Sequence, residues 1–183
     1  MISNSIAEGK GINGTPVVPG DKSISHRSII IPSISNGVCE INNILKSDDV
    51  MHTLNAFKDM GVKIIESENK LIIFGNGLNS LKKSKNSIYL GNSGTSARLL
   101  TGLLSSQKFN SVLTGDDSLS KRPMRRISNP LSKMNAKIYT NNGSLPLTIE
   151  GADLIPCDIE LEIPSAQIKS GLLVASLNTK GET

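Results

Sequence analysis

Pro19-Gly20-Asp21-Lys22-Ser23-Ile24-Ser25-His26-Arg27 has two counterparts further along the chain. They are Leu90-Gly91-Asn92-Ser93-Gly94-Thr95-Ser96-Ala97-Arg98 and Leu161-Glu162-Ile163-Pro164-Ser165-Ala166-Gln167-Ile168-Lys169. An interval of 71 residues separates Arg27 from Arg98, and the same interval separates Arg98 from Lys169. Each segment reads as a strand, a turn of small polar residues, then a helix with a cation in its first turns. A fixed period of this kind means one supersecondary unit used three times.

The first copy supplies the order of the unit. Residues 15–18 (Thr-Pro-Val-Val) read as a short strand and Ser23 to Ser35 as a helix, which Pro32 should kink or end. Val38 to Ile44 alternates as a strand does. Ser47-Asp48-Asp49 opens a second helix, a capping Ser followed by acids where the helix dipole favours them. That helix runs to about Met60, with Gly61 as its stop. Val62 to Glu66 and Lys70 to Phe74 form a hairpin. The unit is β-α-β-α-β-β.

The second copy has a strand at Ile88 to Leu90, a helix at Thr95 to Ser106 and a strand at Ser111 to Thr114. A helix from about Met124 to Met134 follows, with Pro123 expected in its first turn. Met60-Gly61-Val62-Lys63-Ile64 recurs as Met134-Asn135-Ala136-Lys137-Ile138, and Leu145 to Glu150 closes the unit. The third copy has its strand, Asp158 to Ile163, and its first helix, Ser165 to Leu177. The remainder of a third unit is not in the sequence. The expectation is an α/β chain of repeated units, the third incomplete. The alternative is a self-sufficient domain of two units and an atypical terminal remnant.

Composition narrows the function classes. Aromatic residues make up 3% and Trp is absent, so the core must be aliphatic. Net charge is +4. Nucleic-acid binding would want basic residues with stacking aromatics or a docking motif, and neither is seen. A small anionic substrate explains this scale of charge better. No apolar run reaches the roughly 20 residues of a membrane helix. Met1 to Gly11 lacks the basic and apolar regions of a secretory signal. Cys39 and Cys157 fit no metal or disulfide pattern and read as inert core thiols. Together these features predict a soluble cytoplasmic protein with no cofactor, metal, membrane or nucleic-acid partner.

The chemistry lies in the repeated turns. At 19–27, a helix N-terminus with free amides, the hydroxyls of Ser23 and Ser25 and the cations Lys22 and Arg27 make an anion site. An ordinary capped helix with surface cations is the competing reading. At 91–96, Gly94 would let a ligand approach the backbone closely, or would simply make a tight turn. Ser165 and Gln167 put a hydroxyl and an amide at the third site. Arg122 offers a planar fork to a carboxylate or phosphate, whereas Arg125 and Arg126 read as solvated. His26 and His52 read as surface or hydrogen-bonded helix residues rather than catalysts, and Asp48 and Asp49 as caps.

The segments PGDKSISHR (19–27), LKSDDV (45–50), LGNSGTSARLLTG (90–102), LTGDDSLSKRPM (113–124) and PSAQIKSGLLVA (164–175) together resemble the 5-enolpyruvylshikimate-3-phosphate synthase family. They span nearly the whole chain in the family order, in its N-terminal part. The resemblance implies the enolpyruvyl transferase fold, an inside-out α/β barrel of two lobes, each of three such units. Residues 1–18 would be the N-terminal strand segment that pairs with the second lobe, and 19–183 the first lobe, truncated in its third unit. It implies transfer of the enolpyruvyl group of phosphoenolpyruvate to the 5-hydroxyl of shikimate 3-phosphate, with release of phosphate, in the shikimate pathway. By resemblance, Lys22 is catalytic and contacts both substrates. Ser23, Arg27, Ser165 and Gln167 would bind shikimate 3-phosphate. Gly94, Arg122 and again Gln167 would bind phosphoenolpyruvate. Gly94 matches the form that leaves room for the inhibitor glyphosate, and Ala166 stands where some members have Ser.

The family's proton-transfer acids belong to the second lobe, so the chain alone is expected to be an incomplete, inactive copy, with a second-lobe polypeptide as a conceivable partner. The related UDP-N-acetylglucosamine enolpyruvyl transferase has a different opening motif, and its catalytic Cys loop has no counterpart here. A non-catalytic anion-binding module of the same fold remains the reading from a different class.

Overall fold

Two sheets with the same internal order give the repeat its physical form. The structure, a computed structural model, describes Gly9, residues 13–68 and residues 70–183. In the first unit, helix α1 (Lys22–Ile34) leads to β1 (Asn36–Asn42), α2 (Asp48–Asp59), β2 (Lys63–Glu66) and β3 (Lys70–Asn76). The strands pair antiparallel in the order β1-β3-β2. In the second unit, β4 (Ile88–Tyr89) precedes α3 (Gly94–Ser105) and β5 (Ser111–Thr114). A short helix α4 (Asp117–Ser120), α5 (Arg125–Lys133), β6 (Lys137–Asn141) and β7 (Ser144–Glu150) follow. Their sheet runs β4-β5-β7-β6, so β5-β7-β6 repeats β1-β3-β2, and β4 adds a parallel strand at the edge. Helix α6 (Ala166–Ser176) is the first helix of the third unit.

Local chemistry explains most boundaries. Pro32 lies in the last turn of α1, which ends two residues later. Gly61 ends α2 at φ +87°, and Asn135 takes the equivalent position after α5 at φ 69°. Both supply the left-handed residue that stops a helix. Asn142 and Gly143 have positive φ at the β6–β7 turn, the geometry of a tight hairpin.

One large cluster joins α1, α2 and α3 to both sheets, with Ile29, Leu54, Phe57, Leu100 and Leu103 at its centre. A smaller cluster joins α5, α6 and the 152–161 segment through Ile127, Leu131, Ile168 and Leu172. Helices α3 and α6 touch at glycines. A Cβ on Gly102 would stand 2.0 Å from the Gly171 carbonyl oxygen, and one on Gly171 would stand 2.9 Å from the Arg98 carbonyl oxygen.

Several expectations need correction. Residues 15–18 are not a strand, and Val17 is 96% exposed. Pro16 and Pro19 have no N–H to donate, so so short a segment cannot hold itself in a ladder. The rest of the expected N-terminal segment, residues 1–8 and 10–12, lies outside the described residues. Asp158 to Ile163 is not a strand either. None of the described strands pairs with it, and Ile159 and Leu161 pack instead on the smaller cluster. Ser47 stands at the N-cap of α2, but its hydroxyl makes no cap bond and is buried without a partner. Pro123 precedes the cap residue Met124 rather than opening α5. Cys39 and Cys157 are half-buried rather than core thiols. Helix α4, four residues capped by Asp116, is an element the pattern did not reveal. Among the described residues, no helix is long and apolar enough to cross a membrane.

Candidate functional site

The three repeated turns each end in a capped helix N-terminus. The Asp21 carboxylate accepts from the Ile24 N–H at 2.7 Å, opening α1. Ser93 Oγ accepts from the Ser96 N–H at 3.2 Å, opening α3. Ser165 Oγ accepts from the Ile168 N–H at 3.4 Å, opening α6. Each cap satisfies one donor and leaves others of the first turn free for a ligand.

The close glycine contact between α3 and α6 carries Gln167 to the start of α3. There Gln167 Oε1 accepts from Arg98 Nη1 at 2.6 Å, and its Nε2 donates to Thr95 Oγ1 at 2.9 Å. Arg98 Nη1 also donates to the Gly94 carbonyl at 3.2 Å. From the other side, the β5–α5 connection brings Arg122, whose Nη2 donates to Asn92 Oδ1 at 2.6 Å. The two guanidiniums meet at Gly94: a Cβ there would stand 2.8 Å from Arg122 Nη1 and 2.9 Å from Arg98 Nη1. Among the described residues neither forms an ion pair with a carboxylate. Burial, then Arg122 and Arg126, hold Arg98 below the ordinary guanidinium value. Two cations at a helix N-terminus without a counter-ion attract an anion.

Across a narrow cleft of about 60 Å³ stand Ser23 and Arg27 of α1, exposed and facing Thr95, Ala166 and Gln167. Lys22, at the start of α1, forms an ion pair with Asp49 in the first turn of α2. Behind this surface His26 is fully buried. Burial, then the charge of Lys22, push its imidazole down to about 4, with Asp49 opposing, so it is neutral at pH 7.

The structure thus brings Ser23, Arg27 and Gln167 to one cleft, and sets Arg122 against Gly94 at the start of α3. Lys22 is tied to Asp49. Ser165 lines a different cavity, of about 350 Å³, between α5 and residues 160–165. Although larger, that cavity sets Glu160 and Glu162 beside Arg125, Arg126 and Lys133, so its charge is mixed. Arg98, Thr95, Asn92 and Asp49 were not singled out as site residues from the sequence. The repeat held the signal for Arg98, which occupies the position of Arg27 one period on. Asp49 had none, because an acid in a first helical turn reads as a cap. Among the described residues no three His, Cys, Asp or Glu side chains gather as a metal site would require.

Comparison with known proteins agrees with this architecture. The family model for EPSP synthase (3-phosphoshikimate 1-carboxyvinyltransferase) matches residues 6–183. A 3-phosphoshikimate 1-carboxyvinyltransferase of Ruthia magnifica subsp. Calyptogena magnifica is 53% identical over 173 residues, covering 94% of this chain and 40% of its own length. One from Leuconostoc citreum is 46% identical over 185 residues, covering 100% of this chain and 43% of its own. The EPSP synthase structure from Acinetobacter baumannii superimposes with a TM-score of 0.89 at 48% identity, over 92% of this chain and 39% of that one. The chain therefore spans about two fifths of the length of these relatives. At that level of identity along almost every described element, the chain belongs to the EPSP synthase family.

Proposed function

We propose that this chain carries the first-lobe half of an enolpyruvyl transfer site. In the reaction, the 5-hydroxyl oxygen of shikimate 3-phosphate gives up its proton and bonds to the carbon of phosphoenolpyruvate that bears the phosphate, while the methylene carbon of the broken double bond takes up a proton. The tetrahedral intermediate then loses phosphate and a proton of the new methyl group, which restores the double bond and leaves the enolpyruvyl ether. Residues 19–183 would form part of that lobe, and residues 1–18 would pair with the second.

Both substrates are polyanions, so their charge must be neutralised before the reacting atoms can approach. Ser23 and Arg27 would take shikimate 3-phosphate with Gln167 of α6, and Ser165, the cap of α6, would reach the same ligand from the neighbouring cavity. Gly94 and Arg122 would take phosphoenolpyruvate, with Gln167 reaching both. Lys22 would serve both substrates, exchanging its bond to Asp49 for one to the ligand. The observation that carries this reading is the convergence of Arg98 and Arg122 on Gly94. Like charges packed together without a counter-ion cost free energy unless an anion is to join them.

Calorimetric titration of the chain with each substrate tests the reading. Shikimate 3-phosphate should bind, and Arg27→Ala should weaken it by about 1.5–3 kcal/mol, the scale of a charge-assisted contact. Arg122→Ala should do the same to phosphoenolpyruvate. Failure of the unaltered chain to bind either substrate would refute it.

A further inference from the structure

A chain of buried side-chain hydrogen bonds runs behind the candidate site. His26 Nδ1, on α1, lies 2.8 Å from Thr53 Oγ1 on α2. Thr53 Oγ1 lies 2.5 Å from Ser96 Oγ on α3. Ser96 Oγ lies 2.6 Å from Ser93 Oγ, the cap of α3. All four side chains belong to residues with no exposed surface. The bonds span the helices of two repeat units.

Its direction follows from what is left over. His26 Nε2 is buried and has no partner. A buried orphan N–H is rarer than an under-satisfied acceptor, so the proton belongs on Nδ1. Nδ1–H then donates to Thr53; the one Thr53 hydroxyl proton goes to Ser96 Oγ at 2.5 Å rather than to the Asp49 carbonyl at 3.4 Å, and Ser96 donates to Ser93. Every hydroxyl between the ends both accepts and donates, which makes the chain directional and mutually reinforcing.

We propose that this relay is a positioning device: it fixes the N-terminal turn of α3 against α1 and α2, and so sets the affinity of the Gly94 anion site. The second half rests on the functional reading above. Apolar helix contacts tolerate small slides, whereas hydrogen bonds hold their donors and acceptors within a few tenths of an ångström. The turn so held is the place where such precision counts, since Arg98 Nη1 and Arg122 Nη1 both crowd Gly94. Helix α2 is the bridge. Asp49, in its first turn, holds Lys22, and Thr53, one turn later, holds Ser96. Movement of α3 is thereby referred to the same helix that places the cation of α1.

The test replaces Thr53, which meets both neighbours in the relay, and reads the turn with and without ligand. Thr53→Val keeps the shape and removes the hydroxyl; Thr53→Ser returns it. In the unliganded chain, amide exchange at 94–97 should quicken by about tenfold in Thr53→Val, with α1 residues 29–34 little changed. Thr53→Ser should restore protection. Phosphoenolpyruvate binding should weaken about three- to tenfold in Thr53→Val, the equivalent of one buried hydrogen bond, while shikimate 3-phosphate binding holds. Ser96→Ala provides a second break in the relay should Thr53→Val not fold, with the same expected exchange at 94–97. Unchanged exchange at 94–97, uniform acceleration along the chain, or no rescue by Ser would overturn the proposal. If the unaltered chain fails to bind phosphoenolpyruvate, the functional reading falls, and the exchange pattern alone decides whether the relay positions α3.

Discussion

Gly94 is the residue on which the anion site turns, because its missing side chain is what lets two guanidiniums share one place. Adding a methyl group puts carbon at 2.8 Å and 2.9 Å from the two Nη1 atoms, closer than real Cβ contacts allow. Both are ends of flexible side chains, so the protein should fold, and the cost should fall on the ligand. Gly94→Ala should weaken phosphoenolpyruvate by about tenfold, a loss of some 1.4 kcal/mol. Glyphosate should weaken more than phosphoenolpyruvate, by the family resemblance. Competition titrations measure both, and equal affinities in the two proteins would make Gly94 only a turn residue.

His26 gives a second prediction at this scale. Its imidazole, neutral when folded down to about pH 4, titrates at the ordinary imidazole value of 6.5 when unfolded. Between those values the unfolded chain binds the extra proton. Stability from this group is therefore complete above about pH 6.5 and declines as pH falls toward 4, by about 3 kcal/mol in all. Urea midpoints at pH 5 and pH 7 should differ more in the native protein than in His26→Gln. Parallel pH profiles would refute the assignment.

At the scale of elements, the site depends on how closely α3 and α6 pack. Gly102→Ala drives a methyl group into the Gly171 carbonyl, where the space is 2.0 Å and both sides are backbone. Overpacking of this kind costs typically 1–3 kcal/mol. Because the same contact delivers Gln167 to Arg98 and Thr95, ligand affinity should fall along with stability. Thermal unfolding and titration together check it; an unchanged melting temperature would mean the helices stand further apart. The elements themselves were largely legible. Alternation from Val38 to Ile44, the hairpin signal across Val62 to Phe74, the Gly61 stop and the small polar residues that open α3 and α6 all signal locally. What misled was the strand reading of 15–18 and 158–163. Strand propensity is written in the sequence, but a ladder needs a partner, and propensity does not supply one. The glycine contact between α3 and α6 was equally hidden, since two glycines far apart in sequence carry no mark of facing each other.

At the scale of the molecule, the period of 71 residues pointed to an α/β chain of related units; the orders β1-β3-β2 and β5-β7-β6 agree with it for three strands of the first two units, whereas the opening strand is formed only in the second, as β4. The candidate site was legible only as residue types at helix starts. Its grouping was not, because whether Ser165 lines the cleft of Gln167 or its neighbour depends on how α6 is rotated. In and just after that helix, Ile168 and Leu172 are buried, whereas Leu173 and Leu177 are more than half exposed. Ile155 and Ile163, in the same third unit, are also more than half exposed. Large apolar side chains left wet forfeit roughly 25 cal/mol per Å² and promote association. Purified chain should therefore show a concentration-dependent rise in sedimentation coefficient, and Leu173→Lys should reduce it. A monomer at every concentration would refute this. The same chain should release no phosphate from its two substrates over many turnovers. Asp49, the carboxylate that the described residues bring to Lys22, is held in an ion pair, and His26 is buried away from solvent. On the proposed reading the cations would gather both substrates, but the carboxylate paired with Lys22 is not free to move a proton. Sustained phosphate release abolished by Lys22→Ala would show that Lys22, once freed from Asp49, suffices for the proton transfer.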